Sequence, residues 1–251
     1  MNERRVPQPL RPQPFRSITR FSVPAAWSVH FYTALGTVAA FLGTLAVIDG
    51  RYRAAFGWMI VATLIDATDG VFARMARVKE LVPGFDGALL DNIVDYLTFV
   101  FLPVLLLYHA GNLPEDWGIL VASAVLLSSG YGFASTDAKT DDHFFTGFPS
   151  YWNIVALYLH AAALPPVVNA AILLFLVLMV FVRIGYVYPS RTPILQGLTL
   201  VLGLVWAVML LAIVRAIPNV PRPLLIASLF FPVYYTVLSW FLHARRQRAR
   251  S

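Results

Sequence analysis

Four aspartates lie close together in a stretch of chain that is otherwise strongly apolar. Asp66 and Asp69 occur in one apolar segment, and Asp91 and Asp95 occur in the next. At about 3.6 residues per helical turn, each pair falls on one face of its own helix. A short link through Pro83 would fold the two helices against each other, which predicts that the four carboxylates converge.

Carboxylates held together in a low-dielectric region repel one another and lose hydration. This costs several kcal/mol per ion unless cations or protons neutralise them. Hard oxygen ligands suit Mg²⁺ or Mn²⁺, and these ions commonly bridge to phosphate oxygens. Arg74 can offer a fork of donors to a phosphate, and small residues would let a bulky ligand approach the backbone. Those small residues are Gly70, Ala73, Gly84 and Gly87. Together these residue types predict a site for a metal and a diphosphate.

The composition indicates a polytopic membrane protein. Of 251 residues, 59% are hydrophobic and only 13% are charged, so the polar surface of a soluble domain this long is missing. The formal net charge is +6, but the basic residues lie at segment ends, which favours a topology signal over nucleic-acid binding. The chain has no cysteine, which excludes disulfides and thiolate metal sites.

The apolar runs predict an all-α bundle of about eight transmembrane helices, since one span takes about 20 residues. The runs are 26–48, 54–74, 88–108, 117–134, 151–164, 167–188, 195–216 and 224–243. Six or seven spans are the alternative, because the fifth run is short and could form a re-entrant pair with the sixth. With eight spans, 15 of the 19 Lys and Arg residues share the side of both termini. The positive-inside rule then places both termini and the acids at the cytoplasm.

The spacing of the acids and small residues resembles the signature of the CDP-alcohol phosphatidyltransferase family. One half reads Asp66, two residues, Asp69-Gly70, two residues, Ala73-Arg74, and the other reads Gly87, three residues, Asp91, three residues, Asp95. Twelve residues separate the two halves, about one helical turn more than the family's usual spacer, so both can keep their faces. The longer spacer resembles the bacterial phosphatidylcholine synthase branch, which joins choline directly to CDP-diacylglycerol.

The resemblance implies a role for each motif residue. The metal ions, Mn²⁺ or Mg²⁺, would be held by Asp66, Asp69 and Asp91, with Asp95 completing the site and acting as general base. The CDP pocket would be lined by Gly70, Ala73, Arg74 and Gly87. Near the start of the first span, His30 and Thr33 match a polar pair that faces the nucleotide in related proteins. The resemblance also implies a homodimer.

Chemistry gives an independent reason for a carboxylate base. The choline hydroxyl is a poor nucleophile, so a carboxylate within hydrogen-bond reach must take its proton as the oxygen attacks phosphorus. Spacing alone leaves open which of the four acids this is, and Asp95 comes from the resemblance.

The segment between the fourth and fifth runs mixes acids with aromatic residues. A quaternary ammonium lacks N–H donors and is held by ring faces and nearby negative charge, so Phe145, Tyr151 and Trp152 are candidates for the choline head group. An interfacial aromatic belt is the alternative. Arg191 could pair with the lipid-linked phosphate, with an ordinary positive-inside anchor as the alternative. Arg183 lies deeper in its span and must snorkel or find a partner, which makes it a candidate polar-site residue.

Four regions follow from these patterns. They are a basic, Pro-rich cytoplasmic leader (1–25), a helical core that resembles the family (26–188), additional transmembrane helices (189–243) and a basic cytoplasmic tail (244–251). The last two apolar runs carry no evident chemistry, which indicates packing or lipid contact.

The leading hypothesis is a transferase of the bacterial inner membrane that makes phosphatidylcholine and CMP from CDP-diacylglycerol and choline. Membrane lipids are expected partners, and nucleic acid is not. Serine, inositol or glycerol phosphate is an alternative acceptor, although an acceptor with its own phosphate would call for more clustered Arg or Lys. A cation transporter that uses the intramembrane acids is a further alternative, without the paired repeats that transporters often show.

Overall fold

Each apolar run of the sequence contains a helix. A computed structural model describes residues 22–135, 144–187 and 194–248, apart from the side chain of Phe145. The α-helices are α1 (Val23–Ile48), α2 (Tyr52–Met75), α3 (Val78–Leu81), α4 (Gly87–Asp95), α5 (Leu102–His109), α6 (Gly118–Ala134), α7 (Trp152–Ala162), α8 (Pro166–Phe181), α9 (Gln196–Ala216), α10 (Arg222–Ser228) and α11 (Phe230–Arg248). The predicted class, an all-α membrane bundle, is confirmed.

Five helical stretches of the described chain are long and apolar enough to cross a membrane. They are Val23–Ile48, Tyr52–Met75, Gly87–His109, Gln196–Ala216 and Arg222–Arg248. The helices in the other three predicted runs are shorter, at 17 residues for α6, 11 for α7 and 16 for α8. By length and composition, five of the eight predicted spans therefore have the dimensions of a membrane crossing.

Helix α1 presents a face of small residues to the second acid-bearing helix. A Cβ atom added to Gly36 would lie 2.3 Å from Cγ1 of Val94 on α4, and one added to Gly43 would lie 2.6 Å from Cδ2 of Leu102 on α5. Any side chain at either position would force the two helices apart. These two glycines therefore allow the close packing that brings α4 against α1 and, through α1, beside α2.

The helix that carries the second pair of acids changes its winding directly after Asp95. Residues Tyr96–Phe101 form a π-helical segment between α4 and α5, in which the hydrogen bonds span one more residue than in an α-helix. Helices α4 and α5 together still form one apolar stretch of 23 residues. The π-helical segment therefore lets the acid-bearing face of α4 and the core-packed face of α5 point in directions that one continuous α-helix would not combine.

The sixth predicted span, 167–188, ends earlier than the apolar pattern indicated. Helix α8 stops at Phe181 and is followed by the strand β2 (Gly185–Val187), which pairs in antiparallel register with β1 (Phe144–Thr146). Val182 has extended backbone angles, and the aromatic and β-branched residues after it suit a strand. The prediction of continuous helix over residues 182–187 was wrong, because hydropathy does not distinguish a buried strand from a helix.

Candidate active site

Among the described residues, one group of acidic side chains is close enough to share a cation. Asp66 on α2 and Asp91 and Asp95 on α4 each offer a carboxylate oxygen, and these oxygens all lie within 4.8 Å of one another. We call this group the acid triad. Asp91 and Asp95 are half-buried and share one face of α4 because they are four residues apart.

Asp69 is not a member of the acid triad. It lies one turn after Asp66 on the same helix and is buried, with 7% of its surface exposed. Its Oδ2 accepts a hydrogen bond of 2.9 Å from the Thr33 hydroxyl on α1. Thr33 thus supplies the polar partner that a buried carboxylate requires, and it links the predicted nucleotide residues to the predicted metal ligands.

His30 lies on the same face of α1, about one turn before Thr33, and packs against the start of α4. Its ring centroid is 4.4 Å from that of Phe85, and a Cβ added to Gly87 would lie 2.6 Å from its Cε1. His30 is 6% exposed, and its Nε2 has no hydrogen-bond partner among the described residues. A buried polar atom without a partner is unfavourable, so this nitrogen is suited to meet a bound ligand.

Arg74 folds back along α2 towards Gly70. A Cβ added to Gly70 would lie 3.4 Å from an Arg74 guanidinium nitrogen, and the Arg74 side chain is exposed. Ala73 instead packs in a small apolar cluster with Ala26, Ala76 and other residues near the α2–α3 turn. The guanidinium is therefore on the accessible side of the motif, where it can meet a phosphate.

Asp86 fixes the start of α4. Its Oδ1 accepts hydrogen bonds of 3.0 Å from the backbone N–H groups of Ala88 and Leu89. This is N-capping, which satisfies donors that the first helical turn leaves unpaired. Sequence reasoning did not single out Asp86, although an aspartate before an apolar helical run is a recognised start signal.

The choline-site candidates have different positions. Trp152 is 1% exposed and donates its indole N–H to Ser129 over 2.7 Å, so it is a core residue. Tyr151, directly before it, is half-buried, and its ring centroid lies 6.3 Å from that of Tyr235 on α11. Phe145 belongs to β1 by its backbone, and its side chain lies outside the description.

Of the two arginine candidates, the structure describes Arg183. Arg183 is exposed and follows the end of α8. It does not lie deep in a span as the sequence indicated, because the helix ends two residues earlier. Arg191 lies outside the described residues.

Sequence reasoning did not predict that a residue of the last helix, Tyr235, contacts the choline-site candidate Tyr151. Tyr235 contacts Tyr151, and Tyr186 of β2 stacks on Tyr235 with ring centroids 6.3 Å apart and an interplanar angle of 17°. In the sequence, Tyr186 and Tyr235 are only tyrosines within apolar runs, and the sequence does not distinguish a ring that faces lipid from one that faces the site.

The acid triad fits a hard divalent cation. Carboxylate oxygens are the ligands that Mg²⁺ and Mn²⁺ prefer, and three oxygens from two helices can act together on one ion. Bringing three carboxylates this close without a cation or protons would carry a large repulsive energy. The donor set therefore supports a metal site, and it does not distinguish Mg²⁺ from Mn²⁺.

Comparisons with known proteins agree on one family. No family model matches the chain. The chain is 38% identical over 192 residues to a phosphatidylcholine synthase of Pseudomonas aeruginosa, which covers 76% of this chain and 81% of that protein. It is 39% identical over 184 residues to one of Rhizobium meliloti, covering 73% and 76%. It is 40% identical over 202 residues to one of Legionella bozemanae, covering 78% and 93%.

The acid triad makes a direct prediction for metal binding. Asp91→Asn removes one of its three negative charges, so we expect the affinity for Mn²⁺ to fall at least about ten-fold. Titration of the detergent-solubilised protein with Mn²⁺, followed by electron paramagnetic resonance, measures this affinity. Asp86→Asn is the matched control, because it makes the same chemical change at a capping position where Asn also caps well. Equal Mn²⁺ affinity in Asp91→Asn and the unaltered protein would exclude the triad as the metal site.

Proposed function

The chain belongs to the phosphatidylcholine synthase family, and on that premise we propose that it transfers the phosphatidyl group of CDP-diacylglycerol to choline. The products are phosphatidylcholine and CMP. The observation that carries the proposal is the acid triad, because convergent carboxylates at the surface of an apolar bundle are suited to a diphosphate-bearing lipid and its cations.

The reaction requires one proton transfer and one displacement at phosphorus. The choline oxygen forms a new bond to the phosphorus that bears diacylglycerol, and the bond from that phosphorus to the CMP oxygen breaks. Asp95 takes the hydroxyl proton as the choline oxygen attacks, which makes a weak nucleophile effective. Asp95 is half-buried, and its carboxylate lies within 4.8 Å of those of Asp66 and Asp91, so the proposed base is part of the acid triad itself.

Asp66, Asp91 and Asp95 would hold the divalent metal, with Asp69 as a further ligand by its position one turn from Asp66. When bound, the metal neutralises negative charge on the diphosphate and on the departing CMP. We propose Mn²⁺ or Mg²⁺, because the donors are all carboxylate oxygens. The hydrogen bond from Thr33 holds Asp69 in one orientation, which favours a preorganised site.

The nucleotide would lie across the contact between α1, α2 and the start of α4. His30 offers a buried nitrogen that has no hydrogen-bond partner within the described part of the chain, and Arg74 offers guanidinium donors for a phosphate. Gly87 lets the His30 ring pack directly against the start of α4, since a side chain at Gly87 would collide with that ring. The proposed pocket lining is Gly70, Ala73, Arg74 and Gly87, with His30 and Thr33 facing the nucleotide.

We place the protein in the bacterial inner membrane with the acid triad at the cytoplasmic side. The five apolar spans make it an integral membrane protein. If all eight apolar runs cross the membrane, the excess of Lys and Arg falls on the side of the acids, which supports this orientation. Choline and CMP would then exchange with the cytoplasm, and CDP-diacylglycerol would enter from the cytoplasmic leaflet. The homodimer stays a prediction from the resemblance.

The assay of the proposed function is release of CMP and formation of labelled lipid from CDP-diacylglycerol and labelled choline. Asp95→Asn should lower turnover at least about 100-fold, because a general base contributes that much or more. Asp116→Asn is the control, as Asp116 is exposed in the loop before α6, remote from the motif. Near-normal turnover by Asp95→Asn with metal bound would disprove its role. Product formation from serine, inositol or glycerol phosphate in preference to choline would disprove the choline reaction itself.

The nucleotide pocket is tested by His30→Phe, which keeps an aromatic ring against Phe85 and removes both ring nitrogens. We expect the KM for CDP-diacylglycerol to rise about ten-fold, as for the loss of one good hydrogen bond, and the KM for choline to change little. Ser28→Ala is the control, because the Ser28 hydroxyl is exposed and bonds the carbonyl of Pro24 on its own helix. An unchanged KM for CDP-diacylglycerol in His30→Phe would remove His30 from the pocket.

The orientation is tested directly, because the chain has no native cysteine. In intact spheroplasts, a membrane-impermeant maleimide should label Arg51→Cys, and it should label Lys79→Cys only after permeabilisation. Both side chains are exposed, so access to the reagent depends on the side of the membrane. The reverse labelling pattern would place the acid triad outside the cytoplasm.

A further inference from the structure

We propose that Tyr151 and Tyr235 form an aromatic site for the trimethylammonium group of choline, and that the C-terminal helix α11 therefore sets the choice of alcohol. This inference rests on the proposed function. It goes beyond it by assigning the head-group site to a pair of rings, one of which lies on α11.

The contacts between α2 and α7 place Tyr151 at the height of the acid triad. Near one end of the pair, the His160 and Phe56 ring centroids are 5.7 Å apart. Further along, the Asn153 amide donates to the Thr63 hydroxyl over 3.4 Å. The helices are thus antiparallel, since earlier residues of α7 meet later residues of α2. Two residues before Asn153 is Tyr151, and the matching level on α2 is that of Asp66.

A second set of contacts brings α11 to the same level. The Tyr158 hydroxyl on α7 donates to the Ser228 carbonyl at the end of α10 over 3.1 Å. Tyr151 lies seven residues before Tyr158, and Tyr235 lies seven residues after Ser228. Seven residues are about two helical turns on each side, so the Tyr151–Tyr235 ring contact continues the same antiparallel register.

The two rings have a geometry that a quaternary ammonium can use. Their centroids are 6.3 Å apart and their planes meet at 64°. A cation within about 6 Å of both centroids can rest against two ring faces that meet at a steep angle. Both tyrosines are half-buried, so the rings are neither fully packed in the core nor fully open to solvent.

A hydrogen bond holds the Tyr235 ring in place. The Tyr235 hydroxyl donates to the Val187 carbonyl over 2.9 Å, which ties α11 to β2. Choline's ammonium has no N–H group, so ring faces and charge, rather than the tyrosine hydroxyls, would recognise it.

Strand β2 is fixed to α11 along one line of side chains. The Val187 N–H donates to the Ser239 hydroxyl over 3.1 Å, and the Gly185 N–H donates to His243 Nδ1 over 3.1 Å. Tyr235, Ser239 and His243 recur every four residues and so share one face of α11. This holds Tyr186 stacked on Tyr235, where burial raises the pKa of the Tyr186 phenol. Tyr186 is therefore a positioning residue for the Tyr235 ring.

The experiment compares choline with 3,3-dimethylbutanol, its neutral isostere. We expect the ratio of the two kcat/KM values to fall about ten-fold in Tyr151→Leu and in Tyr235→Leu, because each loses a ring face for the cation. Tyr235→Phe keeps the ring and should keep most of the ratio. Tyr234→Leu is the matched control, because it removes a neighbouring ring of the same helix. The Tyr234 hydroxyl is hydrogen-bonded to Thr199 on α9 and not to the proposed site. The ratio does not depend on the fraction of folded protein.

A second measurement works for variants that have lost turnover. Tetramethylammonium should raise the thermal unfolding midpoint of the unaltered protein and of Tyr234→Leu, because a ligand that binds only the folded state stabilises it. It should not raise that of Tyr151→Leu or Tyr235→Leu. A wild-type ratio and wild-type stabilisation in both leucine variants would overturn the aromatic site and leave the transferase intact. Failure of the unaltered protein to make phosphatidylcholine would overturn the proposed function as well.

Discussion

The carboxylates of α2 and α4 repel one another, and the rest of the site must compensate this repulsion. Asp66, Asp91 and Asp95 converge within 4.8 Å, and such a group is stable in an apolar bundle only when positive charge or protons compensate it. Their approach depends on α1, whose Gly36 and Gly43 let α4 and α5 pack closely. The same helix supplies Thr33 to the buried Asp69. Helix packing and charge are thus coupled at one contact.

The opposite end of the bundle is held by polar groups of a different kind. The Tyr52 hydroxyl lies 3.2 Å from His109 Nδ1, His160 Nδ1 lies 2.9 Å from the Asn112 side-chain oxygen, and Asn169 donates to the Asn112 carbonyl. These bonds tie α2, α5, α7 and α8 together without a carboxylate, a lysine or an arginine. At the same end, the His160 ring on α7 packs against Tyr52 and Phe56 on α2, which holds these two helices in register.

Much of this arrangement could be predicted from the sequence, because acids and apolar residues at helical spacing have few alternative interpretations. The convergence of Asp66, Asp91 and Asp95 and the helical class belong to that part. Two adjacent aromatic residues show where prediction failed. Tyr151 and Trp152 look equivalent in the sequence, but the rotation of α7 turns Trp152 into the core and Tyr151 towards α11. Rotation of this kind depends on tertiary contacts, and so do the end of α8 at Phe181 and the strand after it.

The π-helical segment after Asp95 affects how sequences related to this chain should be aligned. A helical wheel drawn straight through Tyr96–Phe101 misassigns the later residues by roughly one position, or about 100° of rotation. A single deletion there would let the segment wind as an ordinary α-helix, while Leu102, Leu106 and their neighbours kept their faces towards the interior. Gaps placed in this segment therefore carry structural information that residue-by-residue identity misses.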